Sequence, residues 1–323
     1  DAHPQNVGKI NVGFITARSI AGDIDANTMV VAGVGTFVSD LTVNSVTVGK
    51  GANSVASNTV VGNAALDANT TGDSNTAVGG NSLTANTTGS NNTGIGYQAL
   101  KANTTGGNNT AIGQNCLDSN TTGSSNTAVG LNALGGNVGA SNNTAVGRDA
   151  LEANTTGGNN TAVGFEALTL NQTGTGLAAF GQGALQNNTA SNNTASGSTA
   201  LRDNTTGQAN TAVGKASLLL NTTGQRNTAV GAFALDAATT ADQNTAVGYN
   251  ALTANTTGTY NTAVGAAALE SHTTGNRNAA FGRASLNNNT TGEDNTGIGY
   301  YALVQNTTAS DNTAVGSNAL RYN

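Results

Sequence analysis

The chain has 323 residues, of which 9% are charged and 4% aromatic, with no tryptophan, one cysteine and a formal net charge of −6. A globular chain carries about a quarter charged residues, so an ordinary single-core enzyme fits poorly. The acidic charge is spread thinly with no basic run, which argues against nucleic acid as a partner, and no apolar stretch approaches the ~18–20 residues of a membrane span.

In chain order, residues 1–8 hold the only proline, Pro4, and are expected to be loose or docked on a further segment. Residues 12–23 (VGFITARSIAGD) and 34–45 (VGTFVSDLTVNS) begin alike, 22 residues apart. Leu41, Val43, Val46 and Val48 alternate as strand residues do. Residues 1–57 read together as a β-rich stalk or adaptor. Within them residues 44–49 (NSVTVG) resemble the strand of the repeat that follows, and Gly49 precedes Gly62 by only 13 residues. That spacing predicts a shortened first coil that starts the stack.

Residues 58–323 are a linear array. Sixteen leucines from Leu66 to Leu320 recur every 17 residues, with one step of 16 between Leu185 and Leu201, and a glycine stands four residues before each. The unit is Asn-Thr-Ala-Val-Gly-x-x-Ala-Leu-x-x-Asn-Thr-Thr-Gly-x-x, and residues 244–260 are a clean copy. The opening Asn is missing only at Leu177, and the second Asn only at Ala238 and His272. Glycine, Asn and Thr are weak helix formers and no apolar stripe of period 3.6 is present. Short β-branched runs between turn residues instead predict a strand-turn-strand-turn unit, about the length of one solenoid coil. The fold class read from this is all-β: a β-solenoid of 17-residue coils, about sixteen repeats.

Stacked coils place each residue beside its equivalent one repeat away, at ~4.8 Å. Leu then stacks on Leu inside, and each coil offers Ala, Val, Ala and Leu for burial; the residue before the first glycine is Val or Ile in most coils, with Phe180 and Phe281 in two. Asn stacks on Asn, so side-chain amides form ladders, and the glycines mark positive φ or close approach. The 16-residue step falls at residues 190–193, where one residue is read as missing from the variable pair; a deletion in a turn keeps the ladders in register.

So slender a coil offers little apolar surface against the conformational entropy of ordering it. Association with further copies supplies the missing burial, and three parallel chains about one axis close on themselves. The start at Asp1 and the stop at Asn323, within a coil, are expected of part of a longer protein.

The chemistry-bearing residues are few. His3 lies in the N-terminal tail and His272 replaces a ladder Asn with no repeated partner. Asp73, Glu152, Glu166, Glu270, Glu293 and Asp294 occupy variable positions without a paired-carboxylate spacing, as solvated residues do. Cys116 fills a slot otherwise Ala or Ser and reads as a small buried residue. The Asn-Thr-Thr triplets are formal glycosylation sequons, but their coil periodicity reads as a structural ladder. No catalytic residue, metal site or cofactor is expected, and the chain is read as non-enzymatic. The candidate binding residues are surface aromatics: Tyr97, Phe165, Tyr249, Tyr300 and Tyr301 in the pair after the strand glycine, and Tyr260 in the pair before the opening Asn. Aromatics at variable corners stack on sugar rings.

The NTAVGxxALxxNTTG repeats resemble those of bacteriophage tail-fibre and spike proteins and related bacterial surface proteins. Residues 44–49, and less closely the NTAVG strands, resemble the head repeats of trimeric autotransporter adhesins; GFITARSIAGD and GVGTFVSDLTV resemble shaft segments of phage fibres. The coil is longer than the usual adhesin-head repeat, and no membrane-anchor barrel or C-terminal chaperone domain is present in the sequence. The resemblance implies a parallel homotrimeric fibre on a virion surface that attaches to a host-cell glycan or protein. It implies contacts with other virion proteins through the N-terminal region, and no membrane insertion. A bacterial surface adhesin is the alternative origin. An ice-binding solenoid, from the recurrent Thr, and a polysaccharide depolymerase are the rival functions.

Overall fold

The computed structural model describes residues 40–322. The stalk readings for residues 1–8, 12–23 and 34–39, and His3, lie outside the described residues.

Strands β1 (Leu41–Val43) and β2 (Val46–Gly49) form a hairpin, and β3 (Thr59–Gly62) opens a run of short strands from β4 (Thr76–Val78) to β18 (Thr313–Val315). From β3 onward each strand pairs in parallel with the one 16 or 17 residues further on, Thr over Thr and Val over Val, as at Thr127↔Thr144 and Val129↔Val146. The described chain is an all-β solenoid with a single 18-stranded sheet along one side.

Each coil holds one strand of three residues where two strands were expected, and the backbone gives the reason. In residues 244–260, Asn250, Leu252 and Tyr260 all have φ between 54 and 61°, and these positions are left-handed in nearly every coil. A left-handed L-residue costs roughly 1–2 kcal/mol and bends the chain too often for a second extended run. Asn is common at the first and third of these positions because its side chain tolerates this conformation. Leu tolerates it poorly, yet recurs because only from there does its side chain reach the interior.

The core is a column of Leu flanked by two columns of small residues. Leu100, Leu151, Leu218 and their equivalents from Leu66 to Leu303 are fully buried, as are the strand's middle Ala, such as Ala145, and the residue before Leu, such as Ala150; Leu320, in the last coil, is 50% exposed. The Val expected inside points outward. In a three-residue strand the inward Ala leaves its two neighbours on the opposite face, and Ile95, Ile112 and Phe180 accordingly stand 38 to 43% exposed. The interior is thus smaller than the sequence implied.

Both Asn columns are buried ladders. Asn103 and Asn120 each donate from Nδ2 to the Oδ1 of the Asn one coil earlier, at 2.8 Å. The opening Asn works differently: Asn75 donates its main-chain N–H to Asn58 Oδ1 (2.8 Å) and its Nδ2 to the Gly89 carbonyl (2.9 Å). A third ladder comes from the first Thr of Thr-Thr-Gly, as where Thr104 Oγ1 donates to the Thr121 carbonyl at 2.9 Å. The strand glycine needs its identity twice over. Gly164 has φ 138°, and a Cβ there would sit 2.5 Å from the Gly181 carbonyl oxygen.

The 16-residue coil loses a different residue from the one expected. Asn154 reaches three residues on, to the Gly157 carbonyl, whereas Asn188 reaches only two, to Ala190 (2.6 Å). Ala190 therefore stands at the turn glycine, and the absent residue is the second Thr of Thr-Thr-Gly. Strand pairing crosses the gap intact, Ala178↔Thr194.

At the N-terminal end β2 runs antiparallel to β3 and to β1. Residues 44–49 are therefore the turn and second strand of a hairpin, not a shortened coil. Asn44 and Ser45 turn it with φ 47 and 66°, the left-handed pair of a tight hairpin turn. The Asp40 carboxylate accepts from the N–H groups of Lys50 (2.6 Å) and Gly51 (2.7 Å). The hairpin covers the β3 edge that would otherwise be open.

Candidate binding surfaces

The outward sheet face consists of two columns. Thr precedes the inward Ala in all but two coils, and Val, Ile, Phe or Ser follows it; neither column of residues 59–315 contains a charge. The two coils that lack the Thr, at Ala178 and Ala279, are those that carry Phe180 and Phe281 beside it. The row keeps its bulk when one partner shrinks.

The corner after the strand glycine carries most of the expected aromatics. Tyr249 is 58% exposed, Tyr97 and Tyr300 are similarly open, Phe165 is 37% exposed and Tyr301 is half-buried. Tyr300 and Tyr301 meet edge to face with centroids 4.3 Å apart, and the Arg283 Cζ lies 5.8 and 5.6 Å from their rings. Arg321 Cζ lies 5.4 Å from the Tyr301 ring. Tyr249 meets Phe233 edge to face at 6.2 Å, and Lys215 Nζ lies 5.6 Å from the Phe233 ring. Phe165 sits under Arg148 at 5.2 Å. Tyr97 is apart from these, its hydroxyl accepting only from Gln98 Nε2 at 3.3 Å. Tyr260 lies at a different corner, where Gln243 Nε2 donates to its hydroxyl at 3.3 Å. Phe233 and the four cations were missed in the sequence, because each contact joins residues a full coil apart.

The cations differ in what holds them. Arg148 Nε is paired with Asp149 Oδ2 at 2.8 Å. Among the described residues Lys215, Arg283 and Arg321 form no ion pair.

A notch of about 370 Å³ interrupts another corner where Gly135 and Gly136 stand in place of larger residues, with Asp118 on one side and Glu152 on the other. Burial raises the carboxyl pKa of both above the ordinary value, against a Ser119 hydrogen bond for Asp118 and with the Asp149 charge adding to it for Glu152. The sequence signal was the Gly-Gly substitution. Among the described residues no group of three or more His, Cys, Asp or Glu is arranged to hold a metal ion.

His272 is fully buried in the Asn ladder, its Nε2 donating to the Gly275 carbonyl at 2.7 Å and its Nδ1 3.3 Å from Asn289 Nδ2. Burial lowers its pKa, so the ring is neutral. Cys116 is buried, its thiol facing the Gly130 carbonyl, and burial pushes its pKa up to about 11. A thiol so protonated is a packing element.

No protein-family model matches the chain, and no curated protein or solved structure matches it. Its surface is the ground for a functional reading.

Proposed function

We propose that the chain is the shaft of a non-enzymatic fibre, three parallel solenoids joined along their sheet faces, that projects from a virion and attaches it to a host surface. The single observation that carries this is the outward face: an uncharged Thr/Val column pair repeated over sixteen strands, half-exposed in one chain. A continuous apolar strip of that length on a soluble protein is an association surface. Three copies about one axis bury it with closed symmetry, and the Ala/Phe exchange keeps the face level against a partner. Sixteen coils at ~4.8 Å make a rod of roughly 75 Å, stiffened by three ladders, and trimerisation gives the surface avidity. The resemblance of the repeats to tail-fibre and adhesin sequences points the same way. Sedimentation under native conditions tests the assembly, and adhesion of the purified trimer to bacterial cells tests the attachment.

The Thr column supports a second reading, an ice-binding face, because it presents hydroxyl and methyl groups in register along one sheet. Thermal hysteresis of the purified protein decides for it, and absence of hysteresis decides against it.

A further inference from the structure

The corner beside the sheet face holds an order longer than the coil. Arg148, Lys215 and Arg283 each follow the strand glycine directly, and each is four coils from the next. The coil after each supplies an aromatic at the same corner: Phe165, Phe233, and Tyr300 with Tyr301. The intervening coils place small or uncharged side chains there, such as Ser198, Ala266 and Gln182. Cation–aromatic contacts occur about once per 70–80 residues in folded proteins, so their number carries no weight. Their shared corner and equal spacing do.

We infer that this corner binds a linear carboxylated polysaccharide, held at Lys215 with Phe233 and Tyr249, and again at Arg283 with Tyr300 and Tyr301. The two sites lie about 19 Å apart, four coils at ~4.8 Å, on the same corner of the stack, a span that a single glycan strand covers. At each, two rings meet at 86°, forming an angled cradle that suits the C–H faces of a saturated sugar ring better than a flat base. The cation beside each cradle has no carboxylate of its own among the described residues; Arg283 Nη1 donates to the Tyr300 and Tyr301 hydroxyls at 3.4 and 3.1 Å, and a uronate carboxylate supplies the missing counter-charge. Arg148 is the internal contrast: Asp149 already neutralises it, so the Phe165 site is closed to an anion.

This names the ligand class for the attachment proposed above and rests on that reading for its multivalency; the residues of each site belong to one chain. The test uses the whole purified protein in its native assembly, with polygalacturonate as the probe, dextran as the neutral polymer and a single-stranded oligonucleotide as the other polyanion. Retention on polygalacturonate but not dextran is expected, weakening as salt rises. Lys215→Gln, Arg283→Gln and Tyr249→Ala are each expected to lower apparent affinity at least ~10-fold through lost bivalency. Tyr249→Phe keeps the ring that Tyr249→Ala removes and binds more tightly than Tyr249→Ala, and Arg148→Gln changes nothing. No binding to polygalacturonate, equal retention on dextran, tighter binding of the oligonucleotide, or an equal loss on Arg148→Gln each overturns the inference. A trimer that binds no polygalacturonate overturns this inference alone; a monomer that binds it through these residues overturns the trimer alone.

Discussion

Ser82 occupies the space of the methyl group that Gly94 lacks. Gly94 stands where the strand's inward Ala belongs; a Cβ on it would lie 2.6 Å from Ser82 Oγ, which donates to the Gly94 carbonyl at 2.8 Å. The same exchange recurs at Ser285 and Gly297, again at 2.8 Å, while most coils with Ala at the inward position pair it with Ala, as Ala145 with Ala133; where Ser217 stands with Ala229, its hydroxyl donates to the Gly214 carbonyl instead, at 3.0 Å. Gly94→Ala alone displaces the Ser82 hydroxyl from that carbonyl, expected to cost ~1 kcal/mol for the lost buried hydrogen bond. Ser82→Ala alone loses a buried hydrogen bond and leaves a gap. Made together they recreate the Ala133/Ala145 arrangement, and a double-mutant cycle by chemical denaturation is expected to give a coupling of at least ~1 kcal/mol. Additive effects contradict the pairing.

Ala238 breaks the Asn ladder, and the cost falls on its neighbour: the buried Asn221 Oδ1 has no hydrogen-bond partner. Ala238→Asn supplies the missing donor and is expected to stabilise the chain by about 1 kcal/mol, the lower end of what an unpaired buried polar atom costs. Amide exchange in residues 221–255 slows if this holds and quickens if the added side chain is not accommodated.

His272 makes the ladder sensitive to pH. Burial holds its pKa below the ordinary 6.5, so the folded state binds fewer protons than the unfolded one as pH falls through that value. The sign follows: its contribution is present above 6.5 and is lost progressively as pH falls below it. The Asn255 Oδ1, which meets His272 instead of an Asn amide, is buried and unpartnered. His272→Asn restores the donor. The variant is expected to melt higher than the parent, with a gap that widens as pH is lowered from roughly 7.5 to roughly 5; a constant gap removes the protonation account.

The outward face is tested by charge. Val213 and Val230 lie in its apolar column, exposed in the single chain. Val213→Lys with Val230→Lys leaves the interior untouched and is expected to preserve the β circular dichroism while dispersing the assembly. A pair of lysines that leaves the mass in solution unchanged contradicts the sheet face as the contact.

The leucine column and both Asn ladders were legible before any coordinates, because a fixed period admits one stacking register and stacking forces like onto like. The facing of Val129 and its equivalents was not. Thr-Ala-Val alternates, but a buried Ala announces itself weakly, and the larger apolar residue drew the assignment inward. The site of the deletion was equally hidden: Asn188-Thr189-Ala190-Ser191 aligns with the unit in two ways, and only the Asn188 bond to Ala190 separates them. At the corner, Tyr97, Phe165, Tyr249, Tyr300 and Tyr301 were visible as variable aromatics. Their grouping was not, since Lys215 meets Phe233 and Arg283 meets Tyr300 across a coil, and the clue was a four-coil recurrence laid over the 17-residue one. The hairpin of β1 and β2 imitated a repeat strand in sequence and differs from one only in direction.

The mass of the native protein in solution, by sedimentation equilibrium, bears most directly on the fibre. Three chains per particle, unchanged on dilution and reduced to one by the paired lysine substitutions, is the predicted result. A single chain per particle at every concentration, with the Thr/Val face open to water along its length, contradicts it.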